Sequence, residues 1–154
     1  MNYEDVQNEF EFDGAWLDIY VLDVTLDDWQ KMLDYLRDSS YTAVYTFCGE
    51  ESEWPKCLKV FDEEELRRYG LSSEMTVDLG DVILKCHFFS EDEIEFDFDP
   101  GEVNNQITLE RLFDFIRTLA TLLQKPVVIT PESNQTYPIF RAFPNNNLIQ
   151  HRRY

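Results

Sequence analysis

The sequence predicts an α+β domain whose antiparallel-rich sheet carries its helices mainly on one face, and three observations lead there. Two turn signals set the register of a three-strand meander over about residues 74–99. Two longer segments place apolar residues at helical spacing, while the other apolar runs are short, rich in β-branched and aromatic residues, and bounded by Gly, Pro and charge. The resulting order, β-α-β-β-α-β-β-β-α-β-β, groups strands in runs, as antiparallel sheets do.

Residues 1–13 read as a polar lead-in. From Trp16 to Val24 the run WLDIYVLDV predicts a strand with Leu17, Ile19 and Val21 on one face. TLDDWQKMLDYLRDSS follows, with Thr25 as N-cap, Asp27 and Asp28 at the positive end of the helix dipole, and Leu26, Trp29, Met32, Leu33 and Leu36 on one helical stripe. YTAVYTF, Tyr41 to Phe47, predicts a second strand, and GEESEWPK a loop. CLKVF then predicts a short strand and DEEELRRYG a short helix, capped by Asp62 and Glu65 and stopped at Gly70.

The meander is the most constrained stretch. Leu79-Gly80-Asp81-Val82 fits a two-residue hairpin that pairs Val77 with Leu84 and Met75 with Cys86; a three-residue connection, Ser90 to Asp92, pairs Cys86 with Phe96 and Leu84 with Phe98. One face is then apolar or thiol throughout, and a slip by one residue would turn all of it to water. The other face holds Glu74, Thr76 and Asp78, then Ile83, Lys85, His87 and Phe89, then Glu93, Glu95, Asp97 and Asp99. His87 falls opposite Glu95 and Lys85 opposite Asp97, pairings worth about 0.2–1 kcal/mol each.

After DPGEVNNQ, Thr108 is the expected N-cap of the longest helix, with Leu109, Leu112, Phe113, Ile116, Leu119, Ala120 and Leu123 as its stripe and Lys125-Pro126 as its end. PVVIT predicts a short strand, PESNQT a turn, and YPIFRAF a last strand that Pro138 assigns to a sheet edge. Residues 150–154 form a basic tail. No repeat or linker divides the chain, so residues 1–154 are expected to make a single domain.

Composition narrows the function. With 31 acidic and 13 basic residues among 154, the net charge is -18, yet 44% of the chain is hydrophobic, so the acids must decorate a folded body. Such a surface repels nucleic acid and anionic membranes and favours basic proteins or cations. The segment from residue 124 onward reverses the trend, with Lys125, Arg141, Arg152 and Arg153 against Glu132 alone. The N-terminus is acidic where a signal peptide would be basic, which makes the cytoplasm the expected compartment. Cys48, Cys57 and Cys86 are spaced as reduced thiols, with Cys86 on the buried face.

Catalytic and metal patterns do not emerge. EDEIEFDFDPGE, residues 91–102, crowds seven carboxylates into twelve residues. Calcium loops need Gly at the sixth position and Glu at the twelfth, and the frames from Asp97 and Glu95 supply neither. Strand alternation also spaces these acids roughly 6.5–7 Å apart, too wide for one ion. Two histidines, scattered cysteines and the lack of G-x-S-x-G, G-x-G-x-x-G and Walker A patterns argue against zinc, nucleophilic and nucleotide chemistry. No cofactor, metal or catalytic residue is expected.

The small size, the acidity, the α+β layout and a helix followed by KPVVITPESNQTYPIFRAF resemble bacterial immunity proteins, which bind and inactivate a cognate toxin. The resemblance implies stoichiometric inhibition of a basic toxin or nucleic-acid enzyme. The expected contact residues, read from the strand pattern, are Glu93, Glu95, Asp97, Asp99, Glu74 and Asp78, with Phe89 as an apolar anchor beside Ile83 and Tyr20. Solubility is the other use of such a face. Two alternatives stand beside this reading: an adaptor or weak homodimer joined through the edge from Tyr137 to Phe143, and a hydrolase whose carboxylates hold a divalent ion.

Overall fold

A computed structural model describes residues 1–55, 73–146 and 148–152. The expected strand CLKVF and helix DEEELRRYG, with Cys57, Asp62, Glu65 and Gly70, lie outside the described residues, as does Arg153.

The described residues build a nine-stranded sheet: β1 (Leu17–Leu22), β2 (Thr42–Phe47), β3 (Glu50–Glu51), β4 (Ser73–Asp78), β5 (Ile83–His87), β6 (Glu93–Phe98), β7 (Val127–Pro131), β8 (Phe140–Ala142) and β9 (Ile149–His151). Its order is β3-β2-β4-β5-β6-β1-β7-β8-β9, and every neighbouring pair is antiparallel. Two helices among the described residues, α1 (Leu26–Asp38) and α2 (Gln106–Leu123), lie on one side of it. The fold is therefore α+β and sheet-rich, as the patterning requires.

The meander adopts the expected register, with Val77 opposite Leu84, Met75 opposite Cys86, and Cys86 opposite Phe96. Gly80 and Asp81 both have positive φ, +79° and +66°, the signature of a type I′ turn, and Leu79 N–H donates to Val82 C=O at 2.9 Å. Above this turn the Arg111 guanidinium donates to Gly80 C=O and stands where a Cβ would come within 2.9 Å of it.

Helix α1 begins as expected: Thr25 accepts from Asp28 N–H, and the Asp28 carboxylate answers to Thr25 N–H at 3.0 Å. Helix α2 corrects the expectation. Its N-cap is Asn105, whose side chain accepts from Ile107 and Thr108 N–H, and Thr108 sits three residues on as the returning half of the capping box. The helix ends at Gln124, in the left-handed region at φ 54°, with Lys125 N–H bonded back to Ala120 C=O.

The apolar stripes meet the apolar sheet face. Trp29 of α1 stacks on Phe88 at 5.2 Å, Phe115 of α2 meets Phe96 edge-on at 5.4 Å, and Phe113 meets Phe140 at 5.2 Å. Phe96, Phe98, Cys86 and Ile19 have no exposed surface. At roughly 1.5–3 kcal/mol per large side chain removed from water, this layer dominates the stabilisation.

Three expectations change at the chain's two ends. Residues 1–13, expected as a polar lead-in, form 3-10 turns at Tyr3–Asp5 and Gln7–Phe10 that deliver Val6 and Phe10 to the core, where Phe10 stacks on Phe140 at 5.6 Å. Segment 137–143 is not a sheet edge, because β9 pairs with β8 along its outer side. The expected basic tail supplies two residues of that outer strand, Gln150 and His151, and His151 bonds Glu9 at 2.8 Å. Pro138 falls outside β8, so its missing N–H interrupts no ladder. No helix among the described residues is long and apolar enough to cross a membrane.

Candidate partner-binding face

Strand alternation sends every second side chain away from the helices, and register decides which of them meet. One row runs Glu74, His87, Glu95, Tyr20 across β4, β5, β6 and β1, and continues through Val128, Arg141 and Gln150 to β9. The next row runs Thr76, Lys85, Asp97, Asp18, Thr130. Neighbouring strands stand about 4.8 Å apart, so Glu74, Glu95 and Asp97 gather about His87, and Asp18 and Glu93 extend the carboxylate cluster beside Glu95.

Of the expected contact residues, Glu74, Glu93, Glu95 and Asp97 are brought together here, each partly buried. Asp78 and Asp99 are diverted to local work: Asp78 accepts Gly80 N–H at 2.6 Å within the hairpin, and Asp99 accepts Gly101 N–H at 2.8 Å, capping the 3-10 turn Pro100–Glu102. Phe89 is 47% exposed and stacks flat on the His87 imidazole at 4.8 Å. Tyr20 is buried and donates its hydroxyl to Asp18 at 2.9 Å, so it is no free anchor.

Two cross-strand pairings differ from expectation. His87 lies opposite Glu95, yet its Nε2 bonds Asp97 Oδ2 at 2.6 Å, the diagonal neighbour on the same strand. Lys85 lies opposite Asp97, yet its ammonium sits over the Trp16 ring at 5.2 Å from the centroid. A diagonal contact is within reach of a side chain as long as imidazole, and an aromatic face competes with a half-solvated carboxylate for an ammonium.

Asp18 is the member that pattern reading missed. It is 3% exposed, because the β7–β8 connection crosses over β1 as a strap: Ser133 N–H donates to Asp18 Oδ2 at 2.6 Å, and Gln135 Nε2 donates to Glu93 Oε2 at 2.9 Å. The signal was one acid on the polar alternation of an otherwise apolar strand, Asp18 beside Leu17 and Ile19. Nothing local announces the strap that buries it.

Crowding and burial reshape the ionisation. Burial, then the Asp18 charge, pushes the Glu95 carboxyl up to about 7, with Glu93 adding to the push and His87 opposing it. Burial also raises Asp18, against the bonds from Ser133 and Tyr20 and with help from Asp97. Burial disfavours the charged form of His87, but the Asp97 bond and the charges of Asp97, Glu74 and Glu95 outweigh it and hold its pKa above the usual value. One atom is left over: Asp97 Oδ1 is buried and has no hydrogen-bond partner among the described residues. Cys86, directly behind, is fully buried and its thiol is raised by that burial, so it packs as a small hydrophobe; Cys48 is exposed.

Among the described residues no group of three or more His, Cys, Asp and Glu is arranged to hold a metal ion. Compared with protein-family models, curated proteins and solved structures, the chain finds no match.

Proposed function

We propose that this protein is a non-catalytic, stoichiometric binder of the immunity type, receiving a basic partner such as a toxin or nucleic-acid enzyme on the carboxylate-bearing side of its sheet. The observation that supports this reading is the gathering of Glu74, Glu93, Glu95 and Asp97 on the face opposite α1 and α2. An arriving guanidinium offers five N–H donors and would meet acceptors already aligned by strand register. Phe89, exposed two residues past the end of β5, supplies flat apolar area beside the charges.

The test separates a local site from the general field of a chain at -18. An oligo-arginine peptide is presented to the wild type, to Glu74→Lys with Glu93→Lys, and to Asp38→Lys with Glu110→Lys, two exposed helix acids whose reversal changes the net charge equally. The face variant should associate at least about tenfold more slowly at low salt than the helix variant, and the difference should shrink as salt screens the field. Equal loss in the two variants would place the binding in net charge alone and remove this face from the account.

A further inference from the structure

The far end of the same sheet side carries the opposite sign. A cavity of about 310 Å³ lies where the strap meets the last two strands, lined by Thr136, Tyr137, Pro138 and Ile139 and by Arg141, Gln150 and Arg152. None of these seven residues is acidic, in a chain where 31 of 154 residues are Asp or Glu. Arg37, Arg111 and Arg117 each hold a carboxylate within 3.1 Å. Arg141 is exposed and has no carboxylate within 4.0 Å among the described residues, although a long flexible cation on an acidic protein ordinarily reaches one.

Register explains that isolation. Arg141 stands between Val128 and Gln150 in its row, with the strap separating it from the carboxylate cluster around Glu95. Arg152 is fixed beside it: its N–H donates to Ile139 C=O at 2.9 Å, and its guanidinium lies 5.1 Å over the Tyr137 ring. Ile139 is itself tied to Ile129 at 2.7 Å, so the apolar wall is anchored to β7.

We infer that this cavity binds a small organic anion, a phosphate monoester or a carboxylate, whose charged end is gripped by Arg141 and whose body lies along Tyr137, Pro138 and Ile139. The Arg141 guanidinium fork matches the oxygens of either head group in bidentate fashion. The volume falls at the lower end of the range for small-molecule sites, roughly 300–1,000 Å³. The site is independent of the proposed partner face, and neither stands or falls with the other.

Titration calorimetry of the full chain at constant ionic strength, with inorganic phosphate, phenyl phosphate and benzoate as probes, tests it. Phenyl phosphate or benzoate should bind one to one with a dissociation constant at or below about 1 mM, the tighter of the two naming the head group. Arg141→Gln should weaken binding about tenfold or more. Tyr137→Ala should weaken phenyl phosphate and leave inorganic phosphate unchanged, while Arg37→Gln, remote from the cavity, should change neither. An unchanged melting curve checks that Arg141→Gln is folded; should it melt early, Arg141→Met carries the same expectation. Absence of saturable binding by all three probes below about 10 mM, or wild-type affinity in the arginine variant, would overturn the assignment.

Discussion

Replacing Glu95 by Gln keeps the shape of the side chain and removes its charge from the centre of the carboxylate cluster, between His87 and Tyr20 in its row. The folded protein holds this carboxyl at about 7 against an ordinary 4.5, so folding disfavours its charged form. That gap corresponds to roughly 3 kcal/mol at most, and partial contact with solvent reduces it to about 1–2 kcal/mol. The sign follows from linkage: the folded state binds this proton more tightly than the unfolded state does. Glu95 therefore contributes its full stabilisation below about pH 4.5, loses it as pH rises through about 7, and is a net cost above that. Glu95→Gln should accordingly be more stable than the wild type at pH 8 by about 1–2 kcal/mol, and close to it near pH 4.5. Urea unfolding at several pH values from about 4.5 to 8, followed by fluorescence of the fully buried Trp29, measures both. His87 and Asp18 are raised too and lose stabilisation in the same direction, so the variant should keep a shallower slope rather than none. Parallel pH profiles for the two proteins would mean that Glu95 does not carry the raised carboxyl.

Gly80→Ala should lower stability by about 1–2 kcal/mol in thermal unfolding, because φ is +79° and the new methyl would press on Arg111; a neutral result would mean that the turn relaxes freely. Asn105→Ala should cost about 1 kcal/mol by the same measurement, and no loss would return the N-cap of α2 to another residue. Phe96→Ala should cost about 3–5 kcal/mol, since its ring is fully buried against Phe115; a loss under about 1 kcal/mol would contradict the packing described.

The meander was legible because a period of two leaves no tolerance: had Phe96 and Phe98 faced outward, Glu95 and Asp97 would have been buried under α2. Helix α1 was legible to the capping residue, because Thr25 immediately precedes an unambiguous stripe and Asp27 and Asp28 fall in its first turn. At α2 the sequence offers both Asn105 and Thr108, each a good cap, and only the completed box assigns their roles. Strand neighbours far apart in sequence carry no local signal. Hence the placing of β1 between β6 and β7 could not be read, nor could the burial of Asp18 that follows from it. The same holds for β9: the triplet Ile149–His151 is too short to show alternation, yet it removes 137–143 from the edge. Side-chain choice within a fixed register was equally hidden, since His87 reaches both Glu95 and Asp97 and the strand pattern alone does not rank them.

A cation that settles among the acids around Glu95 displaces protons there, and those protons can be counted. With its carboxyl at about 7, Glu95 is about half protonated at pH 7, and an arriving guanidinium should ionise it. Calorimetric binding of the oligo-arginine peptide in two buffers of different ionisation heat should then report release of about half a proton at pH 7, vanishing in Glu95→Gln. Binding with no proton released by the wild type would contradict the account.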